Sequence, residues 1–164
     1  MSRIVTAEPL NAKTFERWGD VIEARGEPTV MINRGKCARF SDLAAIEFAE
    51  EGRAAISVFK GEPYELPLTL DLMERHPLGS QAFLPLSEEP FLIIVADDDC
   101  GRPSKPRAFV SRAGQGVNYR RNTWHGVLTP LTQVALFAVV DRIGSGENLE
   151  EHTIADPWTI VLPD

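Results

Sequence analysis

The sequence predicts an all-β fold, a sandwich or barrel with one short N-terminal helix, on three observations. Short apolar segments recur through most of the chain at strand length. Turn-forming clusters separate them: Gly61-Glu62-Pro63, Ser87-Glu88-Glu89-Pro90, Asp97-Asp98-Asp99, Gly114-Gln115-Gly116 and Gly144-Ser145-Gly146. No strands alternate with long helical patterns, so a parallel βαβ sheet is not expected.

The elements follow in order. Asn11 reads as an N-cap, Ala12 to Trp18 as the helix and Gly19 as the glycine that ends it. Strands are expected at Asp20–Glu23, Thr29–Asn33, Ala45–Ala49, Ala54–Lys60, Leu66–His76, Gln81–Leu86, Phe91–Ala96, Arg107–Ser111, Gly116–Tyr119, His125–Leu128, Gln133–Val140 and Trp158–Leu162. The acidic Asp97–Asp99 run reads as a hairpin tip. There is no internal repeat, no low-complexity stretch and no linker, so residues 1–164 read as one domain.

Composition narrows the function. The formal charge is −7, and no basic run is interleaved with aromatics, which argues against nucleic acid and against an anionic membrane surface. The longest apolar run, Phe91 to Ala96, is far short of a membrane span, and the stretch from Met1 to Pro9 lacks the apolar core of a secretory signal. Cys37 and Cys100 are isolated, so they read as free, buried thiols in a reducing cytoplasm.

Chemistry concentrates after one strand. Leu66, Leu68, Leu70 and Leu72 alternate with Pro67, Thr69, Asp71 and Met73, which predicts one buried face. The same parity carries Glu74 and His76 inward. Buried ionisable groups are normally paired, metal-bound or in a wet pocket. Glu74-x-His76-x4-Gln81, with His125 49 residues after His76, resembles the spacing of cupin-type jelly-roll barrels. These hold a metal by His-x-His-x4-Glu and a further histidine downstream; Glu74 stands for the first His and Gln81 for the Glu. Two imidazoles, a carboxylate and an amide oxygen suit a borderline divalent ion, nickel first and otherwise iron, manganese or zinc. No organic cofactor is expected. Each residue has a plainer reading: Glu74 paired with Arg75 or Arg121, His76 capping its strand, Gln81 a structural amide, His125 a satisfied core imidazole. Arg121 shares parity with His125 if the strand there is regular, and Arg121 or Lys60 is a candidate clamp for a substrate carboxylate. Tyr119 has the parity to offer a hydroxyl.

Several stretches are similar to the ureidoglycolate lyase family of allantoin and purine catabolism. They are Phe15…Gly19-Asp20-Val21-Ile22-Glu23, Ile32-Asn33, Glu74-Arg75-His76-Pro77-Leu78-Gly79-Ser80-Gln81-Ala82-Phe83-Leu84-Pro85, Gly114-Gln115-Gly116-Val117-Asn118-Tyr119, Arg121-Asn122-Thr123-Trp124-His125 and Asp141-Arg142. The matches run in order over residues 13–146, and the tail Ala155–Asp164 matches poorly. The resemblance implies a cupin-like jelly-roll β-barrel, a homodimer, and cleavage of (S)-ureidoglycolate to glyoxylate and urea. Some relatives carry a second histidine where this chain has Gly126. Catalytic roles are expected for Glu74, His76 and His125. Arg121, Lys60, Gln81, Tyr119 and Asn33 are expected to bind substrate; whether Asn33 and Arg39 come from a neighbouring subunit the sequence does not show. The competing expectations are a cupin dioxygenase or isomerase on another small hydroxy acid, a non-catalytic ligand-binding cupin, and an amide hydrolase on the same substrate.

Overall fold

The computed structural model describes residues 3–49 and 51–163. Met1, Ser2 and Asp164, which fall in the leader reading, the domain bounds and the tail, lie outside the described residues. The elements are β1 (Ile4–Thr6), β2 (Glu8–Pro9), α1 (Ala12–Phe15), β3 (Gly19–Ile22), β4 (Val30–Ile32), β5 (Cys37–Arg39), β6 (Gly52–Gly61), β7 (Leu68–Arg75), β8 (Gln81–Pro85) and β9 (Phe91–Ala96). They continue with β10 (Asp98–Asp99), β11 (Arg102–Pro103), β12 (Arg107–Val110), β13 (Gly116–Tyr119), β14 (Trp124–His125), β15 (Thr129–Pro130), β16 (Ala135–Gly144) and β17 (Glu150–Val161).

Two sheets carry the molecule. The first has the order β1-β17-β7-β14-β9-β12-β2, with β15 also paired to β9. Its two end strands, β1 and β2, are joined through the single buried residue Ala7, whose N–H donates to the Val161 carbonyl at 2.8 Å. The sheet therefore curls almost into a closed barrel, which leaves little open edge. The second sheet has the order β3-β13-β8-β16-β6 and packs on the curled one.

Strand β9 shows why the cores form. Phe91, Ile93 and Val95 face a cluster between the sheets with Phe15, Phe83, Phe109, Val117 and Phe137. Leu92, Ile94 and Ala96 face a second cluster inside the curl with Val5, Leu70, Met73, Trp124 and Ile160. A strand covered on both faces has no polar alternation, hence its unbroken apolar run.

The all-β architecture with one short helix matches the sequence, but some elements differ. Asn11 does cap α1, accepting from Lys13 N–H at 2.9 Å, yet the helix ends at Phe15. Gly19 does not cap it but opens β3, where a Cβ would lie 1.9 Å from the Asn118 carbonyl oxygen; the glycine admits β13. The expected strand Ala45–Ala49 reduces to one bridge, Phe48 to Gly79. The strand expected at His125–Leu128 stops at His125, where Gly126 N–H turns to the Ile94 carbonyl. The C-terminal strand is longer than expected, and its Trp158 end lies between β1 and β7. The acidic run forms a hairpin tip, β10 against β11. Cys100 is exposed at its turn and Cys37 is half-buried, so the free thiols are not the buried pair expected.

The leucine face is also corrected. Leu68 and Leu70 pack into the cluster inside the curl, and so does Met73, three residues after Leu70. The alternation slips by one residue near Leu72, opposite a register shift in β17 between Thr153 and Trp158. Glu74 therefore does not continue the leucine face; it comes to the space between the sheets because of the slip.

Candidate active site

The site forms where the chain passes from one sheet to the other. Strand β7 delivers Glu74, the turn after it delivers His76, and Gln81 opens β8 in the second sheet. In the first sheet, β14 sets His125 directly across from Glu74 on one side and Val95 on the other. In the second sheet, β13 sets Tyr119 beside Gln81. One ligating atom each from Glu74, His76 and His125 lies within 4.8 Å of the others.

Hydrogen bonding decides what these atoms offer. The His125 ring Nδ1 lies 2.9 Å from the Gly126 carbonyl oxygen. A carbonyl only accepts, so Nδ1 carries the proton and Nε2 is a bare lone pair. That Nε2 is buried with no partner. His76 also turns its Nδ1 to a carbonyl oxygen, that of Asn148 at 2.6 Å, but its Nε2 has a partner, Gln81 Oε1 at 3.1 Å. Gln81 Nε2 in turn donates to Asp141 Oδ2 at 3.2 Å.

Two imidazole nitrogens, an amide oxygen and a carboxylate thus come together, and the imidazoles and the amide have their outer hydrogen bonds already made. This is how metal-binding histidines are oriented. The 3.1 Å between His76 Nε2 and Gln81 Oε1 also suits it, because donors each about 2.1 Å from a common ion lie roughly 3 Å apart at right angles. The orphaned Nε2 of His125, grouped with His76 and Glu74, fits a divalent cation.

The electrostatics agree. Burial, with His76 beside it, pushes the His125 imidazole down to about 3, so the ring is neutral at physiological pH. Burial raises the Glu74 carboxyl, with His76 opposing and Glu151 across the strand adding to the rise. Tyr119 stacks flat on His125, ring centroids 4.3 Å apart at 2°. Its hydroxyl is held protonated, first by burial and then by the charge of Glu74.

Of the residues singled out in the sequence, the structure gathers Glu74, His76, Gln81, His125 and Tyr119. Arg75 is not the partner of Glu74: it pairs with Asp98 and Glu150 at 2.8 and 2.6 Å and lies over the Trp124 ring. Arg121 is in a turn, not on a regular strand with His125; it is exposed at the rim, its guanidinium donating to the Pro77 carbonyl and its backbone N–H to Glu47. Lys60 is not brought in. It is exposed on β6, next to Phe59, whose ring packs on Phe83 toward the core. Asn33 is exposed at the tip of the β4–β5 hairpin with a left-handed φ of 54°, and Arg39 is exposed on the same hairpin.

Three groups that orient the site had no assigned role in the sequence: Asp141, and the carbonyls of Gly126 and Asn148. Asp141 stood in a recognisable motif, but two backbone carbonyls leave no residue-type signal.

A match to the ureidoglycolate lyase family profile spans residues 2–161. The chain belongs to the ureidoglycolate lyase family. It is 54% identical over 163 residues to "Ureidoglycolate lyase" of Chelativorans sp. (strain BNC1), covering 99% of each chain. It is 52% identical to "Ureidoglycolate lyase 2" of Rhizobium meliloti (strain 1021), covering 93% of this chain and 94% of that one. The identity to "Ureidoglycolate lyase" of Rhodobacter capsulatus is 53%, covering 93% and 95%.

Proposed function

We propose that this chain cleaves (S)-ureidoglycolate to glyoxylate and urea, as a single-domain enzyme of allantoin breakdown in the cytoplasm. The observation that carries the site assignment is the buried, unpartnered Nε2 of His125, grouped with His76 and Glu74, while backbone carbonyls hold the Nδ1 side of both rings. The family membership supports the substrate.

Ureidoglycolate bears a hydroxyl, a carboxylate and a ureido nitrogen on one carbon. Cleavage removes the hydroxyl proton, forms the aldehyde and returns a proton to the departing nitrogen. A divalent ion on Glu74, His76, Gln81 and His125, nickel first and otherwise iron, manganese or zinc, would supply Lewis acidity to the substrate's hydroxyl and carboxylate. Glu74, its carboxyl raised by burial, takes the hydroxyl proton and delivers it to the ureido nitrogen. Tyr119 keeps its proton, offers the O–H as a hydrogen bond to a substrate oxygen and holds the His125 ring in place. Arg121, at the rim, balances the substrate carboxylate with the guanidinium N–H groups that Pro77 leaves free.

A homodimer is part of this reading. On β6, Ile56 and Val58 are 78% and 64% exposed, and Leu136 of the neighbouring strand is also exposed. Apolar side chains grouped this way on a sheet mark a surface that another chain covers. Among the described residues no helix is long and apolar enough to cross a membrane.

The test follows glyoxylate, urea and ammonia separately from racemic ureidoglycolate, before and after chelator treatment. Glyoxylate with equal urea and no ammonia, lost on chelation and restored by nickel, is the expected result. Ammonia in place of urea would make the enzyme an amide hydrolase, and oxygen uptake would make it a dioxygenase.

A further inference from the structure

Asp141 lies on β16 in register with Gln81 of β8. Its Oδ2 receives the Gln81 Nε2–H at 3.2 Å, while Gln81 Oε1 lies 3.1 Å from His76 Nε2. A carboxylate accepts and does not donate, so the NH2 end of the amide must face Asp141. Gln81 then has only oxygen to present to His76. His76 has committed its Nδ1 proton to the Asn148 carbonyl, so Nε2 is the nitrogen it turns to the site. A nitrogen and an oxygen this close need a positive charge between them, a proton on the ring in the empty site or a divalent cation in the loaded one. The rest of Asp141 makes poor structural sense: its Oδ1 is buried without a partner, on the strand face where Phe137 and Val139 fill the core.

We infer that Asp141 is a positioning residue that holds the Gln81 amide with its oxygen, not its nitrogen, toward His76 and His125, and so makes Gln81 an oxygen donor to a divalent cation. An amide is nearly symmetric in shape, and half a turn would present an NH2 group that cannot ligate. Only the polarity of the group behind it chooses between the two orientations. The inference rests on the divalent-cation reading of the site.

The experiment titrates the metal-stripped full-length protein with Ni2+ alone and Co2+ alone, reading affinity and the visible Co2+ spectrum. Asp141→Asn lets the Gln81 amide settle either way. It should weaken binding by about 10–100-fold and change the Co2+ spectrum. In a Gln81→Ala background the same substitution should cost nothing further, because Asp141 acts only through Gln81. The exchange variant Asp141→Asn/Gln81→Glu reverses the hydrogen bond but again turns an oxygen to the site, and should recover most of the affinity. Asp141→Ser takes the place of Asp141→Asn if that variant does not fold. Unchanged affinity in the single variant, an equal loss in the Gln81→Ala background, or no recovery on exchange would overturn the inference, as would a wild-type protein that takes up neither ion. Urea release is assayed alongside: wild-type turnover with unchanged metal affinity in the Asp141 variant sinks this inference alone, and the expected affinity pattern without urea sinks the lyase reading alone.

Discussion

His125 shows what a single buried residue contributes. Its ring is 1% exposed, flat against Tyr119, and its proton is fixed on Nδ1 by the Gly126 carbonyl. In the unfolded chain an ordinary histidine binds a proton at pH 6.5, whereas in the fold this one stays neutral down to about 3. Between those values the unfolded state holds more protons, so the metal-stripped protein should lose stability as pH falls from 6.5. The loss from this residue alone is roughly 1–2 kcal/mol by pH 5. Glu74 works in the opposite sense: its raised carboxyl keeps a proton that the unfolded chain has already released, so its contribution is lost as pH rises through its folded value. Urea midpoints across this range should fall toward acid in the wild type and fall less steeply in His125→Gln; an unchanged slope would remove the buried neutral ring as the cause.

At the scale of the element, close approach matters more than propensity. Gly19 looks like a helix-ending glycine in the sequence, but β13 needs it, since a Cβ there would lie 1.9 Å from a backbone oxygen. Gly19→Ala should cost about 3 kcal/mol or more, read as a urea-midpoint shift, because backbone cannot yield as a side chain can. A shift of about 1 kcal/mol or less would mean that β3 moves aside easily. Strand β7 carries the same lesson for register. Parity counted along Leu66, Leu68, Leu70 and Leu72 reaches Glu74 and His76, and these do lie together, but on the face opposite Leu68 and Leu70. The slip that makes this so belongs to the pairing with β17. A single strand read alone contains no sign of it.

The whole molecule places the site between two sheets, so that neither sheet holds it alone. The curled sheet brings Glu74 and His125, the second sheet brings Gln81 and Tyr119, and the turn joining β7 to β8 brings His76. The outer side of the second sheet carries the exposed Ile56, Val58 and Leu136. Ile56→Glu should therefore turn a dimer into monomers in sedimentation velocity at micromolar concentration, because burying a charge in an apolar contact is unfavourable. A wild-type protein that sediments as a monomer, or a variant that stays dimeric, would remove this face from the interface.

The sequence by itself determined the fold class, the spacing of Glu74, His76, Gln81 and His125, and the family, because these rest on local periodicity, turn residues and motif order. It did not determine which nitrogen of each histidine faces the site, what orients Gln81, or that Lys60 faces away. Only the tertiary structure decided those, because each depends on a group remote in the chain: the Asn148 carbonyl for His76, Asp141 for Gln81, and the pairing of β6 with β16 for Lys60. Hydrogen-bond polarity is set by the partner, and partners from different strands meet only once the sheets have packed.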